Sequence, residues 1–95
     1  MSILMKSIYA PTSYCISRPG PDEKSIEVIC VNQNMQVYSI DGVCANIWRG
    51  LDGKTSVRQI LDAILADFDV PATRAKKDLH SFLNQLLSME LIEER

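Results

Sequence analysis

Gln36-Val37-Tyr38-Ser39-Ile40-Asp41-Gly42-Val43-Cys44-Ala45-Asn46-Ile47-Trp48-Arg49-Gly50-Leu51 is where the chain changes its apolar period. In Gln36 to Ile40, Tyr38 and Ile40 fall on one face of an extended segment, and Val37 and Ser39 on the other. Beyond Asp41, the residues Cys44, Ile47, Trp48 and Leu51 recur at i, i+3, i+4 and i+7, one stripe of a helix. Asp41 stands where an N-cap is expected, its carboxylate placed to accept from free N–H groups of the next turn. Asp52-Gly53 is expected to end the helix, with Gly53 in the left-handed C′ conformation. Strands are therefore expected before this junction and helices after it.

Upstream, Ser25 to Val31 is rich in β-branched residues and reads as a strand. Asn32-Gln33-Asn34 is a polar hairpin turn joining it to Gln36–Ile40. Tyr14 to Arg18 reads as a short first strand, stopped by Pro19-Gly20-Pro21-Asp22. Short links between three strands imply an antiparallel meander. Residues 1–13 have no clear period and read as either a loose arm or an extra edge strand. Residues 14–95 read as a single domain.

Downstream, Thr55 or Ser56 caps a second helix. Its stripe of Val57, Ile60, Leu61, Ile64, Leu65 and Phe68 is the clearest periodicity in the chain. Val70-Pro71 breaks it, because a residue before proline avoids the helical region. Thr73 is the expected cap of a third helix with an apolar face of Ala75, Leu79, Phe82, Leu83, Leu86 and Leu87. Leu91-Ile92 follows as a short apolar tail. Neither sheet nor helices can hide their apolar sides alone, so they pack together as an α+β domain. A three-stranded antiparallel sheet followed by three helices suggests a winged helix-turn-helix-like architecture.

The 95 residues suffice for one domain, and 46% hydrophobic residues suffice for its core. The net charge of −2, from 10 basic and 12 acidic residues, argues against a dedicated nucleic-acid binder. Three cysteines without CxxC spacing do not make a disulfide framework, and a reducing cytoplasm is the expected setting. The start is too quickly polar for a signal peptide. No apolar run approaches the roughly 20 residues that span a bilayer.

Catalytic chemistry is not assembled. The single histidine, His80, falls off the apolar stripe of its helix and reads as a surface residue. The Cys and His residues do not have zinc-site spacing. Cys15, Cys30 and Cys44 read as small core residues. Asp52-Gly53-Lys54-Thr55 lacks the spacing of a phosphate-binding loop and follows a helix instead of a strand. Asp67 and Asp69 read as solvated charges, and Trp48 as a core anchor. No enzyme activity and no cofactor are expected.

Several ordered motifs carry a family resemblance. They are Tyr38-Ser39-Ile40-Asp41-Gly42, then Ile47-Trp48-Arg49-Gly50-Leu51-Asp52-Gly53-Lys54-Thr55, and finally Asp78 through Phe82-Leu83 and Leu86-Leu87 to Leu91-Ile92. The set resembles the PqqD-like family, the RiPP recognition elements, over roughly Met35 to Ile92. Glu90 departs from the pattern, where the family commonly has glycine. The resemblance implies a non-catalytic module. It holds the leader of a ribosomally made precursor peptide as an extra strand on the third strand, against the third helix. The pattern looks most like the stand-alone leader-binding subunit of lasso-peptide pathways, whose partner is a leader-cleaving cysteine protease; another modifying enzyme is the alternative. The cofactor-biosynthesis branch that names the family also remains open.

On this reading the peptide site comprises Gln36, Val37, Tyr38, Ser39 and Ile40, whose unpaired main-chain groups are a template for an incoming strand. Tyr38 and Val37 face opposite ways, so at most one is expected to line the groove. Arg74, Lys77, Asp78 and Ser81 form a polar stripe on the third helix. Arg74, Lys76 and Lys77 are either ordinary solvated surface or an attraction for acidic leader residues. Expected partners exclude nucleic acid and membrane, and the chain is expected to be a monomer or weak homodimer. Two rivals are a winged-helix DNA binder using Arg74, Lys76 and Lys77, and a dimerisation domain pairing through its sheet edge.

Overall fold

The computed structural model describes residues 3–22, 24–31 and 36–95. Its main sheet has the strands β2 (Cys15–Pro19), β3 (Ile26–Cys30) and β4 (Gln36–Ile40). They pair antiparallel in the order β2-β3-β4, so β4 forms one edge. Three helices follow: α1 (Gly42–Gly50), α2 (Val57–Asp67) and α3 (Ala72–Ser88). The α+β class and the sheet-then-helices order match the expectation. The expected Asn32-Gln33-Asn34 turn lies outside the described residues.

The first strand begins and ends one residue later than Tyr14–Arg18 because Pro19 still pairs, opposite Ile26. Proline is tolerated on an edge strand where its missing N–H would face away from the neighbour.

A second, two-stranded sheet was not resolved into elements by the sequence. There β1 (Tyr9–Pro11) pairs antiparallel with β5 (Ile92–Glu94), so the apolar tail continues into a strand. Residues 5–8 also serve α2. Val57 N–H donates to the Ser7 carbonyl at 2.9 Å and Arg58 N–H to the Met5 carbonyl at 2.8 Å. These are first-turn donors that have no partner within the helix. Ser56 completes that end with a capping box: its Oγ accepts from Gln59 N–H, and Gln59 Oε1 accepts from Ser56 N–H. Of the two expected caps, Ser56 is therefore the one used.

The sheet's inner face and the helices share one core, which includes Val28, Cys30, Ile47, Trp48, Ile64, Leu79, Leu83 and Leu91. Leu65, expected on α2's apolar stripe, is exposed. It lies at the margin of the stripe, and Phe68 is already the C-cap. No described helix is long and apolar enough to cross a membrane.

Three expected caps are corrected. Asp41 is the N-cap of α1, but its carboxylate makes no capping bond; its carbonyl accepts from Ala45 N–H. Thr73 lies inside α3, whose N-cap is Pro71, extended at φ −62° and ψ 141° and without a side-chain capping bond. Gly53 does adopt a positive φ of 78°, but α1 ends earlier, at Gly50. Gly53 belongs instead to a loop held by Asp52, whose carboxylate accepts from Lys54 N–H, Thr55 N–H and Thr55 Oγ1. Those bonds, the Lys54 N–H first, hold the Asp52 carboxyl below its ordinary pKa. A depressed folded-state pKa contributes stability above the unfolded value and loses it as pH falls through the folded one. Asp52→Asn is therefore expected to lower the melting temperature at pH 7 but not at pH 2. Melting curves at the two pH values check this.

α3 ends in a left-handed residue, and that residue is Glu90, with φ 61°. Leu91 N–H donates to Leu86 O and Glu90 N–H to Leu87 O, the two bonds of a Schellman motif. The turn sends buried Leu91 into the core without glycine's help. A left-handed conformation costs an L-residue roughly 1–2 kcal/mol, whereas glycine adopts it freely. Glu90→Gly is expected to stabilise the fold by about 0.5–1 kcal/mol in denaturant titrations. An unchanged midpoint would contradict this account of the turn.

Candidate peptide-binding groove

The register of the sheet decides which main-chain groups are free. Val31 N–H donates to Tyr14 O at 2.9 Å, and Gly20 N–H to Ser25 O at 3.0 Å. Hydrogen-bonded and non-hydrogen-bonded pairs alternate along antiparallel strands. Glu27 and Ile29 therefore direct their main-chain groups toward β2, while Ile26, Val28 and Cys30 direct theirs toward β4. These three face Ile40, Tyr38 and Gln36 respectively. By the same alternation, the N–H and C=O of Val37 and Ser39 point to the outer edge. Among the described residues no strand pairs there.

Beside that edge lies a groove of about 270 Å³. One wall is Val37 through Ile40, the other is Phe82, Gln85, Leu86 and Met89 on α3, and Val28, Trp48 and Leu91 form the floor. Both Val37 and Tyr38 line it, which corrects the expectation that only one could. At a strand edge the backbone itself forms the wall, so every residue contributes whichever way its side chain points. Tyr38 and Ile40 are half-buried against the core, whereas Val37 is exposed.

A second hollow of about 220 Å³ adjoins the first through Phe82. It lies between α1, the end of α2 and α3, lined mainly by apolar side chains with Asp78 at its margin. Cys44 is on its wall, its thiol pKa raised by burial and then by the charges of Asp41 and Asp78. A wider hollow of about 620 Å³ opens at the other side of Trp48, between β2 and the end of α1. Its rim mixes Arg18 and Arg49 with Asp22 and Asp52, so it presents no dominant sign.

The sequence-derived site residues separate into two groups. Gln36 to Ile40 form the open edge, and Val37 to Ile40 line the groove. On α3, Asp78 borders the second hollow, while Arg74, Lys77 and Ser81 are exposed and line neither hollow. Arg74 Nε lies 3.7 Å from Asp78 Oδ2, an exposed pair one helical turn apart. The groove's helical wall was missed. Phe82, Gln85 or Leu86, and Met89 recur at i, i+3 or i+4, and i+7; of these, Phe82 and Leu86 were assigned to the core face, and Gln85 and Met89 were given no role. His80 is half-buried, and its Nε2 is enclosed without a hydrogen-bond partner among the described residues. No group of described Cys, His, Asp and Glu residues is placed to hold a metal ion.

The site is an open strand edge facing an apolar helix across a narrow groove, on an α+β domain. Residues 27–92 match the family described as Coenzyme PQQ synthesis protein D (PqqD). The chain belongs to the PqqD family. The solved structure "TbiB1 in Complex with the TbiA(beta) Leader Peptide" is similar, with a TM-score of 0.76 and 25% sequence identity. The match covers 88% of this chain and 94% of that one. No curated protein matches the chain.

Proposed function

We propose that the chain is a non-catalytic recognition subunit. It captures the leader of a ribosomally made precursor peptide on β4 and presents that precursor to a processing enzyme, in lasso-peptide or related biosynthesis. The observation that carries this reading is the outward-pointing main chain of Val37 and Ser39 beside an apolar groove. An incoming strand satisfies those groups with bonds that depend little on its sequence. Side chains alternate along that strand, so one set enters the groove between β4 and α3. The family and the leader-peptide complex of the similar structure support the same reading. The enzyme that receives the precursor is, on this proposal, a leader-cleaving cysteine protease.

Binding orders a flexible leader, so part of the gross interaction is lost to entropy. A net of about −8 to −10 kcal/mol, a micromolar to submicromolar Kd, is expected. The test is calorimetric titration with a synthetic leader segment of a candidate ribosomal precursor peptide. Saturable one-to-one binding is expected. Failure to bind that leader, with steeply salt-dependent binding of random duplex DNA instead, would favour the winged-helix rival. The basic side chains of α3 carry a smaller part: Lys77→Glu is expected to weaken binding at low salt if acidic leader residues pass it.

A further inference from the structure

We propose that Cys15 and Cys30 are a thiol–disulfide exchange site that closes into a disulfide stapling β2 to β3. The two residues are direct partners in the β2–β3 register. The neighbouring pair, Tyr14 and Val31, is hydrogen-bonded through Val31 N–H. Cys15 and Cys30 therefore form a non-hydrogen-bonded pair, the more closely spaced kind, with Cα atoms roughly 4.5 Å apart. A disulfide requires about 4.4–6.8 Å. Both thiols are free, and both side chains lie on the core side of the sheet.

Their exposures fix the order of events. Cys15 is half-buried, its Sγ 3.4 Å from Leu91 O and 3.7 Å from Thr12 Oγ1, whereas Cys30 is fully buried. The oxidant is a low-molecular-weight disulfide. Cys15 loses its proton and its thiolate attacks one sulfur of that disulfide. The small S–S bond breaks, and one small thiolate departs and takes up a proton. Cys30 then loses its proton and attacks the Cys15 sulfur, releasing the second small thiol. Two protein thiols are oxidised to one disulfide, and one small disulfide is reduced to two thiols. The second step is the slow one. With both thiols reduced the Cys30 thiol is pushed up to about 11, first by burial and then by the charge and hydrogen bond of Cys15; once Cys15 carries the small thiol, burial is what keeps it raised. Closure should therefore accelerate as pH rises.

The bridge encloses the turn at Pro19-Gly20-Pro21-Asp22 and restrains the unfolded chain. Cys44 lies on α1 without a cross-strand partner and serves as an internal control. The experiment incubates the folded chain with oxidised glutathione, quenches with an alkylating agent and maps the peptides by mass spectrometry. The expected product has lost two hydrogens, links Cys15 to Cys30 and leaves Cys44 alkylated. Its melting temperature rises by roughly 5–10 °C. Cys30→Ser is expected to stop at a glutathione adduct on Cys15. The proposal is overturned if the folded wild-type chain yields only adducts, if Cys44 enters the bridge, or if closure is no faster than in denaturant. None of these outcomes depends on leader binding.

Discussion

Ser39→Pro is expected to weaken leader capture at least tenfold while leaving the fold's stability within about 1 kcal/mol of wild type. Ser39 opposes Glu27, a non-hydrogen-bonded position of the β3–β4 ladder, so its N–H serves the open edge and no internal bond. Proline removes that donor at a position where an edge strand tolerates it. One lost main-chain hydrogen bond is worth roughly 0.5–1.5 kcal/mol. The ring also obstructs the approaching strand, so a total near 1.4 kcal/mol or more, tenfold in Kd, is expected. Tyr38→Pro is the contrasting variant. Tyr38 pairs with Val28 through a ladder bond, and its loss should destabilise the domain itself. Calorimetry with the leader peptide, alongside thermal melts of both variants, separates the two effects. A folded Ser39→Pro protein that binds as tightly as wild type excludes pairing through this N–H.

Leu79→Ala is expected to lower stability by about 2–5 kcal/mol. Leu79 is fully buried at the middle of α3 and belongs to the core cluster that joins sheet and helices. A domain of this size has only roughly 5–14 kcal/mol in total, so the loss is a large fraction of it. The same change at Leu65, which is 36% exposed on α2, should cost less than about 1 kcal/mol. Urea titrations with unchanged slope and a shifted midpoint provide the measurement. A Leu79→Ala cost below 1 kcal/mol would mean that α3 is not anchored as described. Because Phe82 and Leu86 occupy the same helix, loosening α3 should also weaken leader binding by shifting the groove's wall.

The sequence made the main sheet and the three helices legible because each presents a sustained period. β4 was placed at its observed bounds because Gln36 to Ile40 alternates cleanly before Asp41. The three-residue strands β1 and β5 are too short to show a period. Their pairing joins opposite ends of the chain and is a tertiary fact. Caps were less legible: Asp41 is the N-cap of α1 but without a side-chain bond, and Thr73, with favoured cap chemistry, lies inside α3, whose N-cap is Pro71. Glu90 shows tertiary packing overriding local preference: Leu91 is drawn into the core and a non-glycine residue is held left-handed.

For the site, the edge strand was readable but its partner wall was not. Phe82, Leu86 and Leu87 belong to one apolar face in sequence, and only the groove that α3 shares with β4 separates those that line it. The polar residues Arg74, Lys77 and Ser81 stand out by chemistry, yet they lie outside it. Exposed charges on a helix are cheap to place anywhere, so their presence carries little positional information.

Residue-resolved amide hydrogen exchange at Val37 and Ser39, with and without saturating leader peptide, bears most directly on strand capture at the β4 edge. Both amides should exchange rapidly in the free chain and slow by at least tenfold in the complex, while Tyr38 is protected in both. Rapid exchange at Val37 and Ser39 in a fully occupied complex, or strong protection of both in the free chain, would contradict it.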